Sequence, residues 1–309
     1  MTQASPAALS WAASIVDAKV VAVEGLRDGG GPWLLRLDGH ERLHAVVLKT
    51  GEPGRDGQAG LFATEAAAME VAEECALAAP RLLAADIDGS VAGVPALLST
   101  VVPGRSQVPL VATVERLRGL GAAAAAVHAV PMGPRPGLPL RTRSLEDTDF
   151  NAMRRDHGLS PLFEEAEKTV AAMPEPDGQT VLVHGDLWQG NTVFDGDTLT
   201  GLIDWDAAGV GQFGVDLGPL RLDTAMFFGQ QAADEVLTGW RQTSGHPRAE
   251  LADERTVAYW DVVAALCTPP DMAYWLQPIT GQGRTDLTAA VINERRDLFL
   301  RTALDRLGR

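Results

Sequence analysis

One short stretch, residues 181–205, constrains the fold and the chemistry of this chain more than any other. An Asp-Gly pair, Asp195-Gly196, lies between two apolar runs, and this pattern predicts a β-hairpin. In an antiparallel hairpin Asn191 begins one strand and Asp204 ends the other, so the two side chains lie across from each other at the open end. Asp186 comes just before that end in the preceding loop. Three oxygen-bearing side chains are therefore predicted to converge.

These residue types suit phosphoryl transfer. A hard divalent cation such as Mg²⁺ takes oxygen ligands, which Asn191 and Asp204 offer. A carboxylate that does not bind the metal, here Asp186, can accept the proton of an attacking hydroxyl. Positioning and charge neutralisation supply most of the rate of phosphoryl transfer, so such a cluster follows the logic of that reaction.

The same stretch resembles the catalytic loop of the aminoglycoside phosphotransferase and choline kinase family. The resemblance rests on His184-Gly185-Asp186-Leu187, on Asn191 five residues after that Asp, and on Ile203-Asp204-Trp205 at the hairpin end. It implies an α+β, bilobal protein-kinase-like fold, with a small antiparallel-sheet N-terminal lobe carrying one main helix and a larger, mostly helical C-terminal lobe. It also implies that Asp186 is the catalytic base, that Asn191 and Asp204 hold Mg²⁺, and that His184 braces the loop.

The first hundred residues predict a sheet followed by a helix. The Gly-rich turn at residues 28–32 separates the first two of three short strands in an antiparallel meander. A helix is predicted from Thr64 to Ala78 and a further strand from Val94 to Val102, which ends at Pro103-Gly104. We therefore expect a nucleotide-binding lobe over residues 1–103 and a catalytic and acceptor-binding lobe over residues 104–309. The three strands of the meander are predicted at Val20–Gly25, Trp33–Leu37 and Ala45–Lys49.

Lys49 stands out because the chain contains only three lysines, the other basic residues being arginines. It ends the third predicted strand. In kinase-like folds a lysine at that place neutralises nucleotide phosphates and pairs with a helix glutamate. The resemblance favours Glu65, in the predicted first turn of the helix, as that partner, although Glu70, Glu73 and Glu74 lie on the same helix.

The nucleotide clamp departs from that of protein kinases. Gly25 and Gly29–Gly31 do not make the G-x-G-x-x-G pattern, so no phosphate-loop glycine is assigned. The strand ending at Val101 resembles the family's hinge, and Ser99 and Val101 are predicted to contact adenine through their backbone groups. The expected cofactors are ATP and Mg²⁺.

Two further aspartates follow the hairpin. Asp216-Leu217-Gly218 matches a kinase metal triplet by pattern, but the preceding residues 209–214 are expected to form a loop and Asp204 already occupies the hairpin end. The resemblance suggests that Asp216 ties down the catalytic loop by backbone hydrogen bonds, and a helix N-cap is a compatible alternative. Asp206 could face the metal or the acceptor.

The acceptor side is expected to be helical, beyond Leu217. Aromatic and acidic residues gather there, as a site for a sugar or a cationic ring would need, although each alone is typical of core packing or of a solvated surface. Trp188 stands where ketosamine kinases carry Trp and many aminoglycoside kinases carry His, whereas the Ile203–Asp206 ending is closer to the aminoglycoside branch. The candidate acceptor residues are Trp260, Asp261, Asp271, Tyr274 and Trp275.

Composition narrows the class of partner. A net charge of −15 argues against nucleic-acid binding, and it suits a cationic acceptor as well as plain solubility. Two cysteines cannot make a disulfide framework, which favours a reducing compartment. The N-terminus lacks the features of a secretory signal, and no stretch approaches the 18 apolar residues that a membrane-spanning helix needs. We therefore expect a soluble cytoplasmic protein with no membrane partner, and leave its oligomeric state open.

The predicted function is an ATP- and Mg²⁺-dependent transfer of a γ-phosphate to a hydroxyl of a small molecule, either aminoglycoside-like or another sugar. A metabolite kinase of the ketosamine, choline or homoserine type is the alternative within the same chemistry. A nucleotide-binding pseudokinase is a second, although nothing in the sequence favours it. A metal-dependent hydrolase built on His184 and Asp186 is a third, and it would need more metal-ligating side chains than this stretch supplies.

Overall fold

The N-terminal part of the chain is built on a five-stranded antiparallel sheet. In the computed structural model, which describes residues 4–27, 30–55, 57–244 and 252–308, the strand order is β1-β2-β3-β5-β4. The predicted meander and the strand at Val94–Val102 are confirmed, while residues 28 and 29 of the predicted turn lie outside the described residues. β4 was not predicted, because its Leu- and Ala-rich sequence has no β-branched residue. The strands are β1 (Lys19–Arg27), β2 (Gly30–Asp38), β3 (Ala45–Thr50), β4 (Leu82–Asp86) and β5 (Ala96–Thr100).

A helix that the sequence analysis did not identify, α1 (Pro6–Val16), packs on one face of this sheet. Its first turn is capped by Ser5, whose Oγ accepts the Ala8 N–H at 3.1 Å. Trp11 shares a buried cluster with alternate residues of β2 and β3, among them Leu35 and Leu48. The period of two in these strands therefore matches a sheet with one face under a helix.

The main helix of this part, α2 (Gln58–Glu74), begins earlier than predicted. Thr64 is not its N-cap, because the side-chain amide of Gln58 bonds the Glu52 N–H and C=O at 2.6 and 2.7 Å and starts the helix there. Glu65 therefore lies about two turns into the helix instead of in its first turn. This depth brings Glu65 under the sheet, where its side chain is buried.

The rest of the chain is mainly helical, as predicted. The larger hydrophobic core joins the two parts, because it contains Met69 of α2 and Leu97 of β5 together with Trp205 and Leu220. Within the described residues no helix combines the length and the apolar character needed to cross a membrane. The helices are α3 (Val114–His128), α4 (Phe150–His157), α5 (Pro161–Ala172), α6 (Gly214–Phe228), α7 (Gln230–Ser244), α8 (Glu254–Leu266), α9 (Leu276–Gly281) and α10 (Ala289–Leu307).

Short strands in the helical part position the candidate site. β6 (Leu140–Arg141), β10 (Gly209–Gly211) and β7 (Val181–Val183) form one small sheet. The prediction of a loop at residues 209–214 is therefore wrong for the first three of them, which form β10. Gly209 and Gly211 pack so closely against the backbone at β6 that no side chain would fit, and the sequence pattern does not reveal this contact. β8 (Thr192–Asp195) and β9 (Thr198–Leu202) form the predicted hairpin, but its strands are shorter than predicted. Asn191 ends the 3₁₀ turn before β8, and Asp204 lies two residues beyond β9.

Candidate active site

The loop after β7 carries the motif His184-Gly185-Asp186. Gly185 has a left-handed φ of 80°, and a Cβ at this position would lie 2.0 Å from the carbonyl oxygen of Ala207. Only glycine fits such a conformation in so close a contact. The chain therefore turns sharply at Gly185 and points Asp186 toward the open end of the hairpin.

Asp216, in the first turn of α6, anchors this loop. Its two carboxylate oxygens accept the backbone N–H groups of His184 at 2.7 Å and Gly185 at 2.8 Å, so the predicted tie to the catalytic loop is confirmed. The N-cap alternative is wrong, because the cap position of α6 is Phe213. Burial by itself raises the pKa of Asp216, but hydrogen bonding and the nearby imidazoles outweigh it and hold that pKa below its usual range.

A third donor to Asp216 comes from α3, and sequence reasoning missed it. The Trp240 Nε1–H donates to His128 Nδ1 at 2.9 Å, so the hydrogen of this imidazole is on Nε2, which lies 3.2 Å from Asp216 Oδ2. All three side chains are buried. No local signal links these residues, because the chain brings them together from three separate helices.

His184 is placed as a brace. Its Nε2 bonds the carbonyl oxygen of Ile203 at 3.0 Å, and its ring centroid lies 4.5 Å from that of Trp205. The side chain is fully buried, and burial lowers the pKa of His184. The imidazole therefore joins the catalytic loop to the end of the hairpin.

Asp186 and Asn191 meet at the centre of the site. The Asn191 amide nitrogen donates to the backbone oxygen of Asp186 at 2.9 Å and to its Oδ2 at 3.1 Å. Burial raises the pKa of Asp186 to about 7, with help from the negative charges of Asp204 and Asp206. Asn191 Oδ1 is buried and, among the described residues, has no hydrogen-bond partner.

Lys49 lies at the centre of a cluster of carboxylates. Its Nζ is 2.6 Å from Glu65 Oε2, 2.7 Å from Asp204 Oδ1 and 2.9 Å from Asp206 Oδ2. Burial by itself lowers the pKa of Lys49, but the three carboxylates raise it well above its usual range. Burial raises the pKa of Glu65 to about 7 against the opposing charge of Lys49. The cluster thus joins β3, α2 and the end of the hairpin.

The hairpin end has two features that sequence reasoning did not predict. Arg27, at the end of β1, bonds Asp204 Oδ2 at 2.8 Å. Although burial raises the pKa of Asp204, the charges of Lys49 and Arg27 lower it below its usual range. Asp204 also has a left-handed φ of 67°, a conformation that costs a side-chain-bearing residue about 1 kcal/mol and that is retained mostly at functional sites.

The site offers oxygen ligands for a divalent cation. Carboxylate oxygens of Glu65, Asp204 and Asp206 lie within 4.8 Å of one another. Asn191, which lines the same cavity as Asp204, adds a buried Oδ1 that has no hydrogen-bond partner among the described residues. Because Mg²⁺ prefers carboxylate and amide oxygens and an orphaned buried acceptor calls for a ligand, the residues present fit this ion.

The two hinge residues differ in their surroundings. Ser99 lies inside β5, with Val47 of β3 on one side and Leu82 of β4 on the other. Its backbone groups therefore face neighbouring strands, which argues against Ser99 as an adenine contact. Val101 lies beyond the end of β5, outside the strand pairing, and the residue is 39% exposed.

A cavity of about 270 Å³ opens beside Asp186. Of the five predicted acceptor residues only Trp275 lines it. Trp260 and Asp261 are wrong as acceptor contacts, because both are buried in the core between α6 and α8. Asp271 caps the short 3₁₀ turn that follows α8, and Tyr274 is largely exposed.

Comparison with known proteins identifies the family. The model of the phosphotransferase enzyme family matches residues 23–255, which is more than half of the chain. The chain belongs to this family. It is therefore a phosphotransferase, as predicted, and the hydrolase alternative is not supported. No curated protein matches the chain.

Solved structures share its fold. A macrolide 2'-phosphotransferase from Brachybacterium faecium is 18% identical, with 94% of this chain and 97% of that chain covered and a TM-score of 0.59. An aminoglycoside-3'-phosphotransferase of type VIII is 23% identical, with 83% and 98% covered and a TM-score of 0.53. A mutant aminoglycoside phosphotransferase APH(4)-Ia, in complex with AMP-PNP and hygromycin B, is 16% identical, with 96% and 99% covered and a TM-score of 0.58. The predicted α+β, protein-kinase-like fold of the chain is confirmed.

Proposed function

We propose that this phosphotransferase is an ATP- and Mg²⁺-dependent kinase whose acceptor is a hydroxyl of a small molecule. The observation that carries the proposal is the meeting of Lys49, Glu65, Asn191 and Asp204 around one cleft that also contains Asp186. Complexes of related folds with an ATP analogue or with ATP support the choice of nucleotide. Residues 1–103 would bind the nucleotide and residues 104–309 would supply the catalytic loop and the acceptor site.

Each residue of the cleft has a role that follows from its contacts. Lys49, held by Glu65, offers its charge to nucleotide phosphates once its bonds to the aspartates are exchanged for phosphate oxygens. Val101, an exposed residue just beyond the end of β5, is the position proposed for adenine recognition. Asn191 and Asp204 would hold Mg²⁺, with Asp206 as a further oxygen ligand nearby. When bound, this ion would neutralise the charge of the phosphates.

The transfer step uses Asp186. Its carboxylate accepts the proton of the acceptor hydroxyl while the acceptor oxygen forms a bond to the γ-phosphorus. The bond between that phosphorus and the β–γ bridging oxygen breaks, and ADP leaves with the bridging oxygen. The hydrogen bond from Asn191 fixes the direction of the carboxylate, so the base and the acceptor are aligned before the reaction.

Two variants test these roles separately. Mg-ATP should raise the melting temperature of the wild type, and Asp204→Ala should abolish that rise because it removes a metal ligand. Asp186→Asn should keep the rise but lose phosphoryl transfer in an assay coupled to ADP release. Asp195→Asn is a matched control, because Asp195 is an exposed acid on the same hairpin. No stabilisation of the wild type by Mg-ATP, or undiminished turnover by Asp186→Asn, would contradict the proposal.

A further inference from the structure

The cavity beside Asp186 is walled mostly by apolar side chains. They come from the catalytic loop, from α6, from the segment after α8 and from α9, whereas Arg27, Asp186, Asn191 and Asp204 make the remaining side polar. A volume of about 270 Å³ is at the small end of the range for ligand sites, and most of what enters would be surrounded by these walls. The principal apolar residues are Trp188, Leu222, Met226, Met272, Trp275 and Ile279.

The carboxylates that sequence reasoning assigned to the acceptor side are engaged elsewhere. Asp261 accepts two hydrogen bonds from the guanidinium of Arg221, at 2.9 and 3.0 Å, and both side chains are buried. Asp271 accepts the Ala273 N–H and the Asn293 amide, each at 2.9 Å. Neither aspartate lines the cavity. These two aspartates therefore supply no charge to an acceptor bound in the cavity.

One carboxylate besides Asp186 and Asp204 does line the cavity. Asp223, on α6, is 7% exposed, and its Oδ2 accepts the Gln189 N–H at 3.1 Å. A buried carboxylate with apolar neighbours is stabilised by one well-placed cation, because the pair then replaces the water that each group has lost. Among the described lining residues Asp223 is thus the one carboxylate to which the proposed mechanism gives no role, and it offers a charge-pairing position beside mostly apolar walls.

We propose that the acceptor is a hydroxylated molecule with an apolar body and a single amine, and that the amine pairs with Asp223 while the hydroxyl faces Asp186. This proposal rests on the proposed kinase function and specifies its acceptor class. A polycationic amino sugar is disfavoured, because the other carboxylates that line the cavity among the described residues, Asp186 and Asp204, are the proposed base and metal ligand, and further ammonium groups would lose their hydration against aliphatic and aromatic walls.

The test compares acceptors in the ADP-release assay with the full chain. One set is polycationic, hygromycin B and streptomycin. A second has one amine on an apolar body, namely phenylalkyl amino alcohols and a macrolide with a single amine. A third contains the same phenylalkyl alcohols with the amine acetylated. We expect kcat/KM for the second set to exceed that for each of the others by at least about tenfold, since a buried charge pair is worth that much or more.

Substitutions in the cavity test whether its residues cause the expected preference for acceptors with a single amine. Asp223→Asn should lower kcat/KM for the amino alcohols by about tenfold or more and change that for their acetylated forms less than about twofold. Asp305→Asn, an acid on α10 that does not line the cavity, is the matched control. Should Asp223→Asn fail to fold, Trp275→Ala supplies the second variant, and it should raise KM for apolar acceptors while leaving that for the polycations unchanged.

The outcomes distinguish a failure of the proposed acceptor class from a failure of the proposed kinase function. Equal or better use of the polycations, or equal effects of Asp223→Asn on charged and acetylated alcohols, would overturn the acceptor class while leaving the kinase intact. If no acceptor set is turned over, the melting temperature of Asp186→Asn is measured with each set. A larger rise in melting temperature with the amino alcohols than with the other two sets supports the inference, and any other ranking of the three sets overturns it. Failure of Mg-ATP to stabilise the wild type would instead overturn the kinase proposal itself.

Discussion

At the scale of single residues, Asp216 is the side chain that anchors the catalytic loop. Its two oxygens serve two backbone N–H groups and the imidazole of His128. Asp216→Asn keeps the size of the side chain but offers one oxygen and turns an NH₂ group toward a donor. We expect the free energy of unfolding to fall by about 3 kcal/mol, because one buried donor loses its acceptor and the remaining hydrogen bonds lose the carboxylate charge. Urea denaturation at pH 7 measures it, with the exposed Asp195→Asn as control.

The same substitution should change the response to acid. The pKa of Asp216 is lower in the folded protein than its usual value, so its charged form stabilises the fold above the unfolded pKa, and this contribution is lost as the pH falls through the folded pKa. Stability of the wild type should therefore fall more steeply than that of Asp216→Asn below about pH 4. Parallel acid limbs for the two proteins would contradict this assignment.

Asp223 should show the opposite dependence. Burial raises its pKa from the ordinary value of 3.8 to about 7, the charge of Asp186 contributes, and the nearby charge of Arg284 opposes. Between these two pH values the folded protein holds a proton that the unfolded chain has released, so stability falls as the pH rises through that window. The slope approaches about 1.4 kcal/mol per pH unit. Asp223→Asn should flatten it in denaturation series from pH 4 to 8, and an unchanged slope would contradict the burial effect.

At the scale of elements, the crossing of α3 and α7 depends on glycine. A Cβ on Gly121 would lie 1.9 Å from the carbonyl oxygen of Val236, and one on Gly239 would lie 2.1 Å from that of Arg118. Each helix therefore needs a glycine where the two backbones meet. We expect Gly121→Ala to lower the free energy of unfolding by more than about 2 kcal/mol, because the helices must separate and lose packing around them.

The matched control lies on the same helix. Outside its own helix turn, none of the described residues has an atom within 4 Å of a Cβ placed on Gly119. Gly119→Ala should therefore leave stability unchanged or raise it by up to about 1 kcal/mol, because alanine has the higher helix propensity. Thermal denaturation of the two alanine variants compares them directly. Equal effects of the two substitutions would mean that the close approach does not matter for stability.

At the scale of the whole molecule, Lys49 connects the sheet to the helical part through Asp204 and Asp206. Lys49→Met preserves the length of the side chain but leaves three carboxylates facing one another. We expect the free energy of unfolding to fall by about 3 kcal/mol, which is typical when one partner of a buried ion pair is removed and the other charge stays buried. Added Mg²⁺ should restore part of it, since the carboxylate oxygens lie within reach of one cation.

Lys168→Met is the control for this experiment. Lys168 makes its ion pair with Glu164 on the exposed face of α5, with side-chain exposures of 73% and 53%. Such a surface pair contributes less than about 1 kcal/mol, so the variant should melt close to the wild type. A similar loss in both lysine variants, or no response of Lys49→Met to Mg²⁺, would contradict the role of the cluster.

Much of the site could be predicted because its parts are close in the sequence. Asp186, Asn191 and Asp204 belong to one loop and one hairpin, and the turn chemistry of Asp195-Gly196 determines which residues face each other. The meander was predictable for the same reason. The start of α2 was not, because Gln58 begins that helix by bonding backbone groups of the preceding loop, a contact with no signal in periodicity or composition.

The sequence by itself supplied the proposed chemistry: the carboxylate proposed to accept a proton, the oxygens proposed to hold a metal, and the lysine proposed to meet phosphate. Only the tertiary structure decided what surrounds them. It placed Arg27 and Asp206 on the Lys49 cluster, paired Asp261 with Arg221 in the core, and left Asp223 in an apolar cavity. The physical reason is that such contacts join residues far apart along the chain. Charge and hydrophobicity are properties of a residue type, whereas burial and pairing are properties of its position among other elements.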